Sequence, residues 1–271
     1  MKANVKCSMG TARNGNVELA FDVVGSGPDL LLVGGTASTR PLWDLVRPQL
    51  ARSFRTIAFD NRDSGESSIV SAPYGLADLA ADAVAVLDAA GATRAHIVGH
   101  SLGGAIAQEL ALSFPQRCAS LTLVCTWARG DRYAGNAVTL LRALTRSVAE
   151  DRTLLAAILY AGAGTSTLHD VDLWEKTDAA MSLGSLAPRE ALLRQWDLDL
   201  KVDTLDRVGD LQLPVHVIWS DEDRMLPPPH SQLLLDAIPG AVETCIERCG
   251  HLPMVDRADA FVEAAMKFLN Q

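Results

Sequence analysis

The chain has 271 residues, 48% of them apolar and 21% charged, the composition of an ordinary globular protein with a sizeable core. Its formal net charge of −9 argues against nucleic acid or an anionic membrane surface as partner, because both need clustered Lys and Arg. No stretch approaches the ~20 apolar residues of a membrane span, and the opening "MKANVKCSMG" lacks the apolar core of a secretion signal. The five cysteines (Cys7, Cys118, Cys125, Cys245, Cys249) are an odd number without a CxxC pair. They read as reduced thiols of a cytoplasmic protein.

In chain order, "VELAFDVV" (Val17–Val24) alternates as a strand does and is turned back by Gly25-Ser26-Gly27-Pro28. "DLLLVGG" is a continuous apolar run, as in a strand buried on both faces. A short helix is expected near Pro41, then the strand "FRTIAFD" and the turn-rich loop "NRDSGESS". "GLADLAADAVAVLDAAG" has Leu76, Leu79, Ala83, Val86 and Leu87 on one helical face, and Gly91 stops it. A strand to Gly99, a turn at Ser101, a helix to Phe114 and the strand "SLTLVCT" follow. From Trp127 to about Leu211 only helical patterns occur, among them Val138–Val148 and Arg189–Leu198, with "AGAGTST" as a small-residue break. After Pro214 the alternation resumes with "VHVIWS", "PHSQLLLDAI", "VETCIE" and "ADAFVEAAMKFL". This order predicts an α/β core from residues 1–126 and 212–271, with a mostly parallel sheet, helices on both faces and an inserted helical cap over 127–211.

One stretch carries chemistry. "HIVGHSLGGAIAQEL" changes from strand to helical period at Gly99-His100-Ser101-Leu102-Gly103. Such a G-x-S-x-G turn lifts a serine hydroxyl above the sheet and leaves the next N–H, here that of Leu102, aimed at a reacting carbonyl oxygen. A serine hydroxyl also needs a base and a group to orient that base. "WSDEDRMLP" places acids (Asp221, Asp223) after one late strand, and "CGHLPMVD" places His251 after the last. Serine, then acid, then histidine at successive strand ends is the order of a catalytic triad on this kind of sheet.

Through "GSGPDLLLVGG", "FDNRDSGESS", "VGHSLGGAIAQELA", "PVHVIWSDEDRMLPP" and "CGHLPMVDRADAFVEAAMKFL" the chain resembles the α/β-hydrolase superfamily over nearly its whole length. It looks most like capped esterases and lactonases, including the 3-oxoadipate enol-lactonase and polyketide methyl-esterase branches. In that family the acid closes a G-x-x-D tetrapeptide, here Ser220-Asp221-Glu222-Asp223, so the resemblance points to Asp223. The family's usual His-Gly after the third strand is replaced by Gly34-Gly35, and the second oxyanion donor carries over to the Thr36 N–H. Arg62-Asp63 stands where Arg-Gly is usual and is read as bracing.

The resemblance implies a serine hydrolase of carboxylic esters or lactones, working without cofactor or metal on a small apolar substrate, as a monomer or homodimer. Gly35, His100, Trp127, Trp174 and Trp196 are the candidate substrate contacts. A C–C bond hydrolase, a haloperoxidase-like perhydrolase, and a non-enzymatic ligand receptor on the same scaffold stay open at this point.

Overall fold

The computed structural model describes residues 7–172, 174–175 and 186–271. Eight strands form one sheet: β1 (Cys7–Asn14), β2 (Val17–Gly25), β3 (Asp29–Val33), β4 (Arg55–Phe59), β5 (Ala95–His100), β6 (Cys118–Val124), β7 (Val215–Ser220) and β8 (Val242–Ile246). Their spatial order is β1-β2-β4-β3-β5-β6-β7-β8. Only β2 runs against its neighbours; the pairs from β4 to β8 are all parallel.

The period of two along β3 explains why the sheet is covered on both sides. Leu31 and Val33 join one apolar cluster while Leu30 and Leu32 join the other. The main helices are α1 (Leu76–Ala89), α2 (Leu102–Ser113), α3 (Arg132–Ser147), α4 (Asp151–Gly162), α5 (Arg189–Asp199), α6 (Pro228–Ala237) and α7 (Ala258–Leu269). Helices α1, α2 and α6 supply the first cluster through residues such as Leu79, Ile106 and Leu234. Helix α7 supplies the second through Phe261 and Phe268, beside Trp43. The short helix expected near Pro41 is a single 3-10 turn, Arg40–Trp43.

Between β6 and β7 the described residues add no strand to the sheet. One isolated bridge, Arg129 with Asp203, closes the block at its base. Its helices have a small core of their own, made of Leu141, Leu154, Leu192 and Trp196. Helix α3 begins at Arg132, before the Val138 start that periodicity suggested, because the Asp131 carboxylate accepts the Ala134 N–H at 2.8 Å and caps it. The break expected at "AGAGTST" separates α4 from a one-turn helix, Thr165–His169. Cys118, Cys125, Cys245 and Cys249 are free thiols, and the Cys7 side chain lies outside the described ones. Among the described residues no helix is long and apolar enough to cross a membrane.

Candidate active site

Ser101 stands between β5 and α2 with φ 54° and ψ −123°, a backbone conformation that is strained for any residue but glycine. Neighbouring groups hold it there. Its N–H donates to the Val124 carbonyl at 2.9 Å, and the Thr126 hydroxyl donates to its carbonyl at 2.7 Å. The flanking glycines are required by close approach. A Cβ on Gly99 would lie 2.2 Å from the Gly103 carbonyl oxygen, and one on Gly103 would lie 2.1 Å from that of Val33. Leu102 is the first residue of α2, so its N–H is among those no carbonyl within the helix can accept.

The loops after β7 and β8 bring an acid and a histidine together. His251 Nδ1 lies 2.7 Å from Asp223 Oδ2, both side chains buried. The other oxygen of Asp223 accepts the N–H groups of Met225 and Leu226 at 2.8 and 2.9 Å. An acceptor-only carboxylate on Nδ1 fixes the proton there and leaves Nε2 with its lone pair, the form of imidazole that can take a proton. Asp221 points elsewhere and accepts the Cys249 N–H at 3.3 Å. Ser101 and His251 line one cavity of about 120 Å³. Among the described residues no hydrogen bond joins them.

The inserted block reaches into this arrangement. Gly162, at the end of α4, accepts the His251 N–H at 2.7 Å. Glu222, beside Asp223, accepts both the N–H and the hydroxyl of Ser166. Helix α5 docks on the opposite loops. Arg194 pairs with the buried Asp63 at 2.8 Å, and Gln195 accepts the Ala37 N–H at 2.9 Å while donating to the Asp63 carbonyl and the Ser64 hydroxyl. Arg62 forks onto Asp82. Arg62 and Asp63 therefore brace the loop, the first toward α1 and the second toward α5.

The remaining sequence-predicted residues divide. Gly35 lies against the nucleophile turn, where a Cβ would come 2.8 Å from Ser101 Cβ. Thr36 lines the cavity with its hydroxyl turned to Asp199. His100 lines it too; its Nε2 donates to the His251 carbonyl at 2.8 Å, and burial pushes its pKa down to about 3, so the ring is neutral. Trp127 and Trp196 are on the cavity wall. Trp174 is not: it is half-buried against the apolar cluster shared with α7, a correction to its expected place at the substrate. Sequence reasoning missed two buried groups, Asp199 on the wall and Cys125 behind the histidine.

The ligand atoms of Cys125, Asp223 and His251 lie within 4.8 Å of one another, which raises the question of a metal. These residues do not fit one. The Asp223 oxygens are already occupied by two backbone N–H groups and the imidazole. Complete burial raises the Cys125 thiol well above its usual range, which disfavours the thiolate a metal would bind.

A mostly parallel sheet, a strained serine at the strand-to-helix turn and an acid–histidine pair on the loops after the last two strands define the α/β class of hydrolases. The chain belongs to the α/β hydrolase fold family, whose model matches residues 28–258. It is 27% identical to RutD of Azorhizobium caulinodans, provisionally named a carbamate hydrolase, over 96% of this chain and 98% of that one. A hydrolase structure from Pseudomonas aeruginosa PA01 superposes with TM-score 0.85 at 28% identity, covering 100% of both chains. The enol-lactonase of Burkholderia xenovorans LB400 shares the fold at TM-score 0.88 and 21% identity, covering 97% and 100%.

Proposed function

We propose that the protein is a serine hydrolase that cleaves a carboxylic ester or lactone of a small apolar substrate through an acyl-enzyme. The observation that carries the proposal is Ser101, held in a strained turn on the same cavity wall as an imidazole whose Nδ1 is occupied by Asp223. In this reading His251 Nε2 takes the Ser101 proton as the hydroxyl oxygen attacks the carbonyl carbon. The N–H groups of Leu102 and Thr36 stabilise the oxyanion, and the protonated imidazole returns its proton to the leaving alkoxide. A water activated by the same histidine then frees the acid and Ser101. Asp223 orients the ring and stabilises its charged form. Nucleophile, base and oxyanion donors are all protein groups, so the chemistry calls for no cofactor.

Residues 127–211 act as the cap of this site. Its helices supply Val138, Leu155, Ile158 and Trp196 to the wall, a lining suited to a short acyl chain. The name of the RutD relative adds carbamates as a second substrate class, since a carbamate carbonyl would be attacked by the same groups. The test is a substrate panel: p-nitrophenyl esters of graded chain length, γ- and δ-lactones, and aryl carbamates, each with wild type and Ser101→Ala. Hydrolysis of short esters or lactones that the variant loses supports the reading. Preferential carbamate turnover favours the second class, and retention of ester turnover by Ser101→Ala overturns both.

A further inference from the structure

We propose that Asp199 recognises the substrate, its buried carboxyl hydrogen-bonding a hydroxyl group carried on the acyl part. This assignment rests on the acyl-transfer reading above and narrows its substrate class to hydroxyacyl esters and lactones.

Asp199 is the last residue of α5 and is 4% exposed, on the same cavity wall as Ser101 and Thr36. Among the described residues its carboxyl has one hydrogen-bonding partner, the Thr36 hydroxyl, at 3.0 and 2.8 Å from its two oxygens. A carboxyl group can engage about four hydrogen bonds, so one donor leaves it well short. Neither Arg nor Lys among the described residues forms an ion pair with it. Much of the cavity wall that it shares is apolar, including Trp196, Leu155 and Ile158. A polar group buried so sparsely is costly unless something else completes its hydrogen bonds.

A purely architectural role does not account for it. The loop that carries Thr36 is already fastened to α5 by Gln195, which accepts the Ala37 N–H and donates to Asp63 and Ser64. Burial pushes the Asp199 pKa up to about 8, so the group is mainly a neutral acid near pH 7, with one donor and a free acceptor. A hydroxyl complements both at once. An ammonium group would require the acid to ionise in its buried position, where desolvating both charges opposes the pair.

The test compares p-nitrophenyl butyrate with its 2-, 3- and 4-hydroxybutyrate and aminobutyrate counterparts, reading the ratio of kcat/KM within each protein. In the wild type at least one hydroxyacyl ester is expected to exceed the plain ester. In Asp199→Leu that ratio is expected to fall at least about tenfold, mainly through KM. Asp199→Asn, which still hydrogen-bonds, is expected to keep it within about threefold. Asp199→Ala substitutes if the Leu variant fails to fold. An unchanged ratio in the apolar variant, equal losses on both esters, or a wild-type preference for aminoacyl esters would overturn the proposal. If the wild type cleaves none of the esters, the hydrolase reading has failed separately. The uncleaved p-nitroanilides of the same acyl groups then give the ratio as Kd, read from quenching of Trp127 and Trp196. No hydroxyacyl preference there overturns the proposal by itself.

Discussion

Replacing Asp199 by Asn is expected to change how stability depends on pH, and the size of the change follows from the burial of this one group. The carboxyl ordinarily ionises near 3.8, whereas in the folded protein its pKa is raised to about 8. Between those values the unfolded chain has lost the proton and the folded chain still holds it. Wild-type stability therefore loses this contribution progressively as pH rises from about 4 to about 8. At ~1.4 kcal/mol per pKa unit, the rise from 3.8 to about 8 corresponds to on the order of 5 kcal/mol. The amide of Asn cannot ionise, and it still accepts from the Thr36 hydroxyl. Converted at roughly 2 °C per kcal/mol for a chain of this size, the Tm of Asp199→Asn minus that of wild type should grow by about 10 °C between pH 4 and pH 8. Far-UV circular dichroism melts of both proteins across that range give the comparison directly. Parallel Tm–pH curves, or a gap that closes as pH rises, would refute the reasoning.

Asp223→Asn is expected to lower kcat by about four orders of magnitude, because an amide would hold the imidazole in the wrong tautomer. Asp221→Asn should stay within a few-fold of wild type in the same ester assay, and the reverse ranking would move the acid. Trp127→Ala and Trp196→Ala are expected to shift preference toward longer acyl chains by enlarging the cavity. Trp174→Ala should leave chain-length preference in place, as p-nitrophenyl ester profiling would show. Trp196→Ala also breaks the bond from its indole N–H to the Thr145 hydroxyl. Its expected cost, about 3–5 kcal/mol in denaturant unfolding, is that of emptying a large buried side chain. Prolonged EDTA treatment should leave ester turnover unchanged, and loss that zinc restores would show that Cys125, Asp223 and His251 hold a metal after all.

Where the sequence was readable, a strong period or a turn residue made it so. The apolar run of β3, the Pro214 restart at β7 and the amphipathic Ala258–Leu269 helix stand as expected. Strand β1 was not foreseen. "CSMGTARN" has few large apolar residues, and at the sheet edge it needs only one partner, β2. The start of α3 lies ahead of the apolar period because its first turn is defined by the Asp131 cap and not by apolar spacing. The candidate positions Ser101, Asp223 and His251 are legible because each follows a strand of the parallel sheet in a fixed order. Asp199 could not. In "QWDLDLK" it looks like any solvated acid at a helix end, and its burial depends on a contact with Thr36, 163 residues away. The same holds for Trp174, whose place against the second cluster depends on contacts with residues distant in the sequence.

The central claim is that Ser101 is the nucleophile and His251 its base. Its most direct measurement is intact-protein and peptide mass spectrometry after brief exposure to a fluorophosphonate. One adduct on the Ser101 peptide is expected in the wild type, with labelling lost in Ser101→Ala and strongly slowed in His251→Ala. An adduct on another residue, or full labelling of the Ser101→Ala protein, would contradict it.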